Sequence, residues 1–368
     1  METEKAQKDA LGGFRLRKHA LLAAATGALI LGGTILLAYQ HWGSSGVNPV
    51  VELLAQMPSD ANTVLYVDVN ALRQSAFLAE LYKWAPQSVA DADYTQFVQA
   101  TGFNYERDLN RLGIALSNRS QDTVLFAVAE GKFDHKKISA YASQTGTRLS
   151  RSGPETFSVP INGGAHPVAF TFLRNDRIAL TNGSDLHATP PRTQTDFDAQ
   201  AWRERFLRLA GSPIFAVIRQ DGAAASALPQ APGGFQSPQL AAILDQLQWI
   251  TIAGKPEADH LRVVVEGEGS PQTNTRQLSD LLNGLLLLAQ AGLSDPKVRQ
   301  QLPPQVREAY LEVLKTADVS QLDRGDTKSV RVMFEVTPNF LEIARSAVPA
   351  GPAITPSKPF PNKSTIRN

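Results

Sequence analysis

The chain has 368 residues, 36 Lys and Arg against 35 Asp and Glu, and no cysteine. The missing cysteine excludes disulfides, thiolate metal sites, a cysteine nucleophile and a lipid-modified cysteine. A net charge of +1 excludes the basic footprint of a general nucleic-acid binder. The length favours two domains, and 43% hydrophobic residues suit a globular body with a sizeable core.

The charge is unevenly placed. Residues 1–19 carry Lys5, Lys8, Arg15, Arg17 and Lys18 against Glu2, Glu4 and Asp9. Residues 20–39 carry no charge at all, and a helix of that length spans about 30 Å, the hydrocarbon thickness of a bilayer. Arg15, Arg17 and Lys18 stand before this run, and Tyr39 and Trp42 stand at its far end. The spacing predicts a transmembrane helix over 20–41, with a cytoplasmic basic tail over 1–19 and the rest of the chain outside. A cleaved signal peptide is the competing reading, but it needs a shorter apolar core and a better cleavage context than Tyr39 to Trp42. The second apolar stretch, 281–293, is too short to span and reads as a core helix.

A linker and short helix fill 42–57. Residues 63–69 are β-branched and aromatic and predict a strand, with Asn70 capping a helix that runs to Pro86. A short helix over 94–101 closes at Gly102. Strands over 112–116 and 123–129 form a hairpin, and a helix follows over 133–144. Strands over 148–151, 156–161, 168–173 and 177–181 form an antiparallel run, turning at Asn175 and Asp176. The order then returns: a strand over 212–219, a helix over 238–246, a hairpin over 249–253 and 261–266, and a long helix over 275–291. A pair of helical segments around 303–315, a strand over 329–336 and a helix over 339–347 complete it. Ile114 corresponds to about Ile250 and Glu130 to Glu268, a shift near 137 residues. The fold class expected is therefore α+β. An N-terminal transmembrane helix is followed by two duplicated ferredoxin-like βαββαβ units, over 58–190 and 191–348. Residues 349–368 hold five prolines, three basic residues and no acid, and read as a disordered tail. With both ends basic, the body between them is mildly acidic.

The search for chemistry assigns no catalytic residue, no metal ligand and no cofactor. The histidines His19, His41, His135, His166, His187 and His260 lack metal-site spacing. No nucleophile elbow, phosphate-binding loop or calcium loop occurs. Arg324-Gly325-Asp326 reads as a turn before a strand. Asp68 with Asn70, and Gln220 with Asp221, sit where a strand meets a helix. Helix capping explains them more simply than a site does. Tyr82 and Trp84 read as core at helical spacing rather than as a contact surface.

Pro58, Asp60 and Ala61 lead into Tyr66-Val67-Asp68. With 102–109, 211–219 and 248–255, this opening resembles a group of uncharacterised single-pass, membrane-anchored bacterial proteins of unknown function. The resemblance implies the architecture and carries no site residues. The expected function is a non-enzymatic binding or scaffolding role in the bacterial envelope. The expected place is the inner membrane, with the body periplasmic, the membrane itself as partner, and an envelope protein or cell-wall component as a further one. Two alternatives stand beside it. One is an envelope hydrolase with a site assembled from scattered carboxylates or serines. The other is a sensor or assembly factor dimerising through the transmembrane helix, along Ala24, Ala28 and Gly32.

Overall fold

The computed structural model describes residues 48–79, 92–119, 122–149, 155–161, 166–183, 186, 197–220, 246–270, 273–325 and 327–347. The expected transmembrane helix over 20–41, the helix over 238–246, Tyr82, Trp84, Asp221 and the proline-rich tail lie outside them. The chain divides into Met1–Glu52 and Leu53–Asn368. In the first unit the described residues open a short helix, where the Val50 N–H donates to Asn48 Oδ1 at 3.0 Å. Apart from the start of that helix, all that follows concerns the second. Among the described residues no helix is long and apolar enough to cross a membrane.

Helix α1 (Pro49–Leu54) leads to strand β1 (Thr63–Asp68). Short helices follow, among them α2 (Val69–Arg73), α3 (Ala92–Thr101) and α4 (Tyr105–Asp108). The hairpin of β2 (Leu109–Arg119) and β3 (Asp122–Gly131) comes next, then α5 (His135–Thr145) and strands β4 (Thr147–Arg148), β5 (Thr156–Ile161), β6 (His166–Arg174) and β7 (Arg177–Thr181). Helix α6 (Phe197–Leu209) precedes β8 (Ile214–Arg219) and a second hairpin, β9 (Leu247–Glu257) and β10 (His260–Gly269). Helices α7 (Thr275–Ser294), α8 (Pro296–Gln301) and α9 (Pro304–Thr316), strands β11 (Asp318–Arg324) and β12 (Thr327–Val336), and helix α10 (Pro338–Ala347) end the described chain.

The fold is α+β. The twelve strands form one sheet in the order β11-β12-β10-β9-β8-β1-β2-β3-β7-β6-β5-β4. The ferredoxin-like arrangement is thereby corrected. A ferredoxin-like unit lays its first strand between later ones through a parallel βαβ crossover. Neighbouring strands are antiparallel in either arrangement, but here β1 pairs directly with β2 and β2 with β3, and β8, β9 and β10 follow the same consecutive order. The helices between β1 and β2 return the chain beside the strand it left, so no crossover forms.

The two halves meet at β1 and β8, where Tyr66 stacks on Phe215 with centroids 4.9 Å apart. The second hairpin occupies the first hairpin's limits displaced by 138 residues, Leu109 to Leu247 and Asp122 to His260. Register is matched across the halves. Leu65 faces Ile114 as Ala216 faces Ile252, and Ile114 faces Ala127 as Ile252 faces Val265. The bulge recurs too, with Asn110 passed over in one half and Gln248 in the other.

Strand alternation assigns the faces. Tyr66, Phe215 and Trp249 lie on one, under α6, where Trp202 and Phe206 are buried. Gly113, opposite Tyr66, leaves room on that face: a Cβ there would sit 2.5 Å from Leu53 and 2.7 Å from Met57. The other face carries Ile178 and Leu180 in the first half, packed with Ile138 and Ala142 of α5, and Val330 in the second, packed with Leu278 of α7.

Candidate functional site

Between α3, α5 and the sheet lies a cavity of about 440 Å³. Its floor is Leu109 and Leu112 of β2, Ala129 of β3, and Ile178 and Leu180 of β7, with Phe170 and Val168 of β6 and Val159 of β5 beside them. Tyr94 and Phe97 of α3 and Ile138, Tyr141 and Ala142 of α5 form the roof, and Phe103, Tyr105 and Phe133 close one end. The lining side chains offer three phenol hydroxyls and otherwise only hydrocarbon. A cavity this size lies within the range of small-molecule sites, about 300–1,000 Å³.

Ring contacts hold the roof in place. Phe97 meets Tyr141 edge-on at 5.4 Å and Phe103 at 6.1 Å, and Phe103 stacks on Phe133 at 5.2 Å. These are ordinary aromatic geometries. The turn carrying Phe103 and Tyr105 is built by its own backbone. Gly102 closes α3 at φ 74°, a conformation glycine adopts without steric cost. Asn104 caps α4 by accepting from the Glu106 N–H at 2.8 Å, and Asp108 accepts in return from the Asn104 N–H at 2.9 Å. The Arg107 guanidinium beside Asp108 holds its carboxyl below the usual carboxylate range, and the Asn104 N–H adds to this.

A second, polar cleft of about 900 Å³ adjoins the cavity and shares Phe103 and Phe133 with it. Gly131 shapes it, because a Cβ at this position would collide with the Asp108 carbonyl oxygen. That close approach lets the Lys132 N–H donate to the Asp108 oxygen and the Gly131 N–H to the Asp176 oxygen, each at 2.9 Å. His135 stacks on Phe172 at 3.8 Å, with Nε2 3.0 Å from the Asn175 oxygen.

On the opposite face the buried charges are matched. Glu130 binds Arg111 at 2.7 Å and Arg177 at 3.1 Å. At the equivalent place in the second half Glu268 binds Arg205 and Arg208, and Arg205 lies 4.0 Å over the Trp249 ring. Glu266 binds Arg324 and Arg331 and accepts from Ser329 at 2.9 Å. Burial pushes the Glu266 carboxyl up, and the bonds from Arg324 and Ser329 with the charge of Arg208 more than offset this, leaving it at about 2. These clusters join strands to one another and to α6. Among the described residues no group of three or more His, Asp or Glu could hold a metal ion.

The strand–helix junction singled out in the sequence proves to be a cap, and the cap is Asp68 rather than Asn70. Asp68 Oδ1 accepts from the Ala71 N–H at 2.8 Å, and Oδ2 faces Arg111 at 3.6 Å. Arg324 and Gly325 form the β11–β12 turn, with Gly325 at φ 72°. Sequence reasoning missed the cavity. Its signal is the aromatic density at Tyr94, Phe97, Phe103, Tyr105, Phe133 and Tyr141.

No protein-family model matches the chain, and no curated protein sequence matches it. Among solved structures, crystal form III of TP0453 aligns at a TM-score of 0.41 and 11% identity, over 80% of this chain and 97% of that one. Form I gives 0.40 and 11% over 83% and 99%, and form IV gives 0.37 and 12% over 82% and 100%. Likeness at this level carries no argument about function.

Proposed function

We propose that this chain is a non-enzymatic binding protein of the bacterial envelope, which holds an apolar ligand in the cavity beneath α3 and α5. The observation that carries the reading is the lining: a cavity of about 440 Å³ bounded by aliphatic and aromatic side chains. Sequestering a hydrophobic molecule removes apolar surface from water, worth about 25 cal/mol per Å² buried. Among the described lining residues no carboxylate, imidazole or amine side chain is placed to move a proton, so the lining favours binding over the hydrolase alternative.

The sequence supplies the setting. The uncharged run over 20–39, with Arg15, Arg17 and Lys18 before it, supports an inner-membrane anchor with the body on the periplasmic side. The resemblance to membrane-anchored bacterial proteins of unknown function agrees with that placement. We also infer that the halves arose by duplication. The shared 138-residue shift, the matched register and the repeated bulge support it.

The test uses the full chain held in a non-ionic amphipathic polymer and an environment-sensitive fluorescent fatty acid. Saturable one-to-one binding is expected, weakened at least tenfold by Val168→Phe, which fills the cavity, with the melting transition kept. Absence of saturable binding, or unchanged binding in the folded variant, overturns the reading.

A further inference from the structure

The polar cleft determines what class of molecule the cavity takes. Cavity and cleft share the Phe103–Phe133 pair as a common wall, so an apolar compartment and a charged one meet at two rings. Four cationic side chains line the cleft: Arg107, Lys132, Lys136 and Lys137. Arg107 is spent on Asp108 at 2.7 Å, and Lys137 lies 3.6 Å from Asp134. Among the described residues no carboxylate lies within ion-pair distance of Lys132 or Lys136, although the charge of Lys132 acts on Asp108 from further away, and Asp176 is the remaining acid of the lining. The N-terminal turn of α5, capped by Asp134, opens into the same cleft and adds the positive end of an eleven-residue helix.

We propose that the ligand is an amphiphile with an anionic headgroup, a carboxylate or phosphate, which lies in the cleft against Lys132 and Lys136 while a hydrocarbon chain enters the cavity beside Phe103 and Phe133. The proposal rests on the ligand reading of the cavity and extends it to the headgroup. The cavity, about 440 Å³ and lined by aliphatic and aromatic side chains, has room for a hydrocarbon chain. Ammonium groups on flexible stems recognise the charge of an anion without demanding one geometry, so carboxylate and phosphate both fit.

The experiment is calorimetric titration of the full chain, in a non-ionic polymer, with dodecanoate, dodecyl phosphate, dodecanol, dodecyltrimethylammonium and inorganic phosphate. Dodecanoate and dodecyl phosphate should bind at least tenfold more tightly than dodecanol, and the cationic amphiphile most weakly. In the Lys132→Gln/Lys136→Gln variant that preference should vanish, with dodecanol affinity unchanged. Equal binding of anionic and neutral amphiphiles overturns the headgroup assignment and leaves the cavity reading standing. Binding of no amphiphile overturns both. Inorganic phosphate binding as tightly as dodecyl phosphate shows a site for free anions and overturns the amphiphile.

Discussion

The two halves of the sheet present the same floor to different roofs. Leu109, Leu112 and Ala129 border the cavity in the first half, and the 138-residue shift places Leu247, Ile250 and Gly267 at the same points of the second. There leucines pack over it. Leu247 folds over Gly267, where a Cβ would lie 2.7 Å from its side chain, and joins Leu278, Leu281, Leu282 and Leu285 of α7 against Val330. In the first half the roof rests on Phe97, Phe103, Phe133 and Tyr141, rigid rings braced against one another. Leucines change rotamer and close a gap, and braced rings do not. The void is thus a property of the helix layer, and the sheet beneath is common to both halves.

That comparison can be broken at graded cost. The largest effect is expected from the buried glutamates at matching positions. Glu268→Ala takes the shared carboxylate from Arg205 and Arg208, and Glu130→Ala takes it from Arg111 and Arg177. Removing one partner of a buried pair costs about 3–5 kcal/mol. Glu268, 1% exposed against 9% for Glu130, should cost the more in denaturant titrations. Next comes truncation. Leu278→Ala, in the second half, should cost about 2–5 kcal/mol, and Leu112→Ala, already beside a void, less than that. Enlargement should reverse the order of sensitivity. Val330→Phe overpacks the second half at about 1–3 kcal/mol, whereas Val168→Phe, on the cavity wall, should leave the melting temperature nearly unchanged. Equal penalties would mean the first half has no usable space.

A further effect is acidic. Glu266 titrates at about 2 in the fold, against its ordinary 4.5. A depressed carboxyl stabilises the fold fully above its unfolded pKa, and that contribution is lost as pH falls from about 4.5 towards 2. In Glu266→Gln this part of the acid loss should disappear from the stability–pH profile.

Much of the sheet was legible in the sequence. The segments 112–129 and 249–266 alternate β-branched residues about short polar turns, and their correspondence at Glu130 and Glu268 survives in the observed register. Helix α7 was legible from its apolar period. Helix α6 was not, because Arg203, Arg205 and Arg208 mask the Trp202–Phe206 stripe that it buries. Strand β11 was missed because its sequence, Asp-Val-Ser-Gln-Leu-Asp-Arg, is polar, as befits a sheet edge. The ferredoxin-like topology was a wrong choice among ways of ordering correctly placed strands, since local periodicity does not encode which strand lies beside which. The cavity was out of reach for the same reason: Phe97, Phe103, Phe133 and Tyr141 come from separate segments and meet only in the fold.

Amide hydrogen exchange on the full chain, with and without dodecanoate, tests the central claim most directly. Ligand should slow exchange in α3 and α5, which roof the cavity, and leave α7, over the second half, unchanged. Protection of α7, or of neither half, would contradict the account.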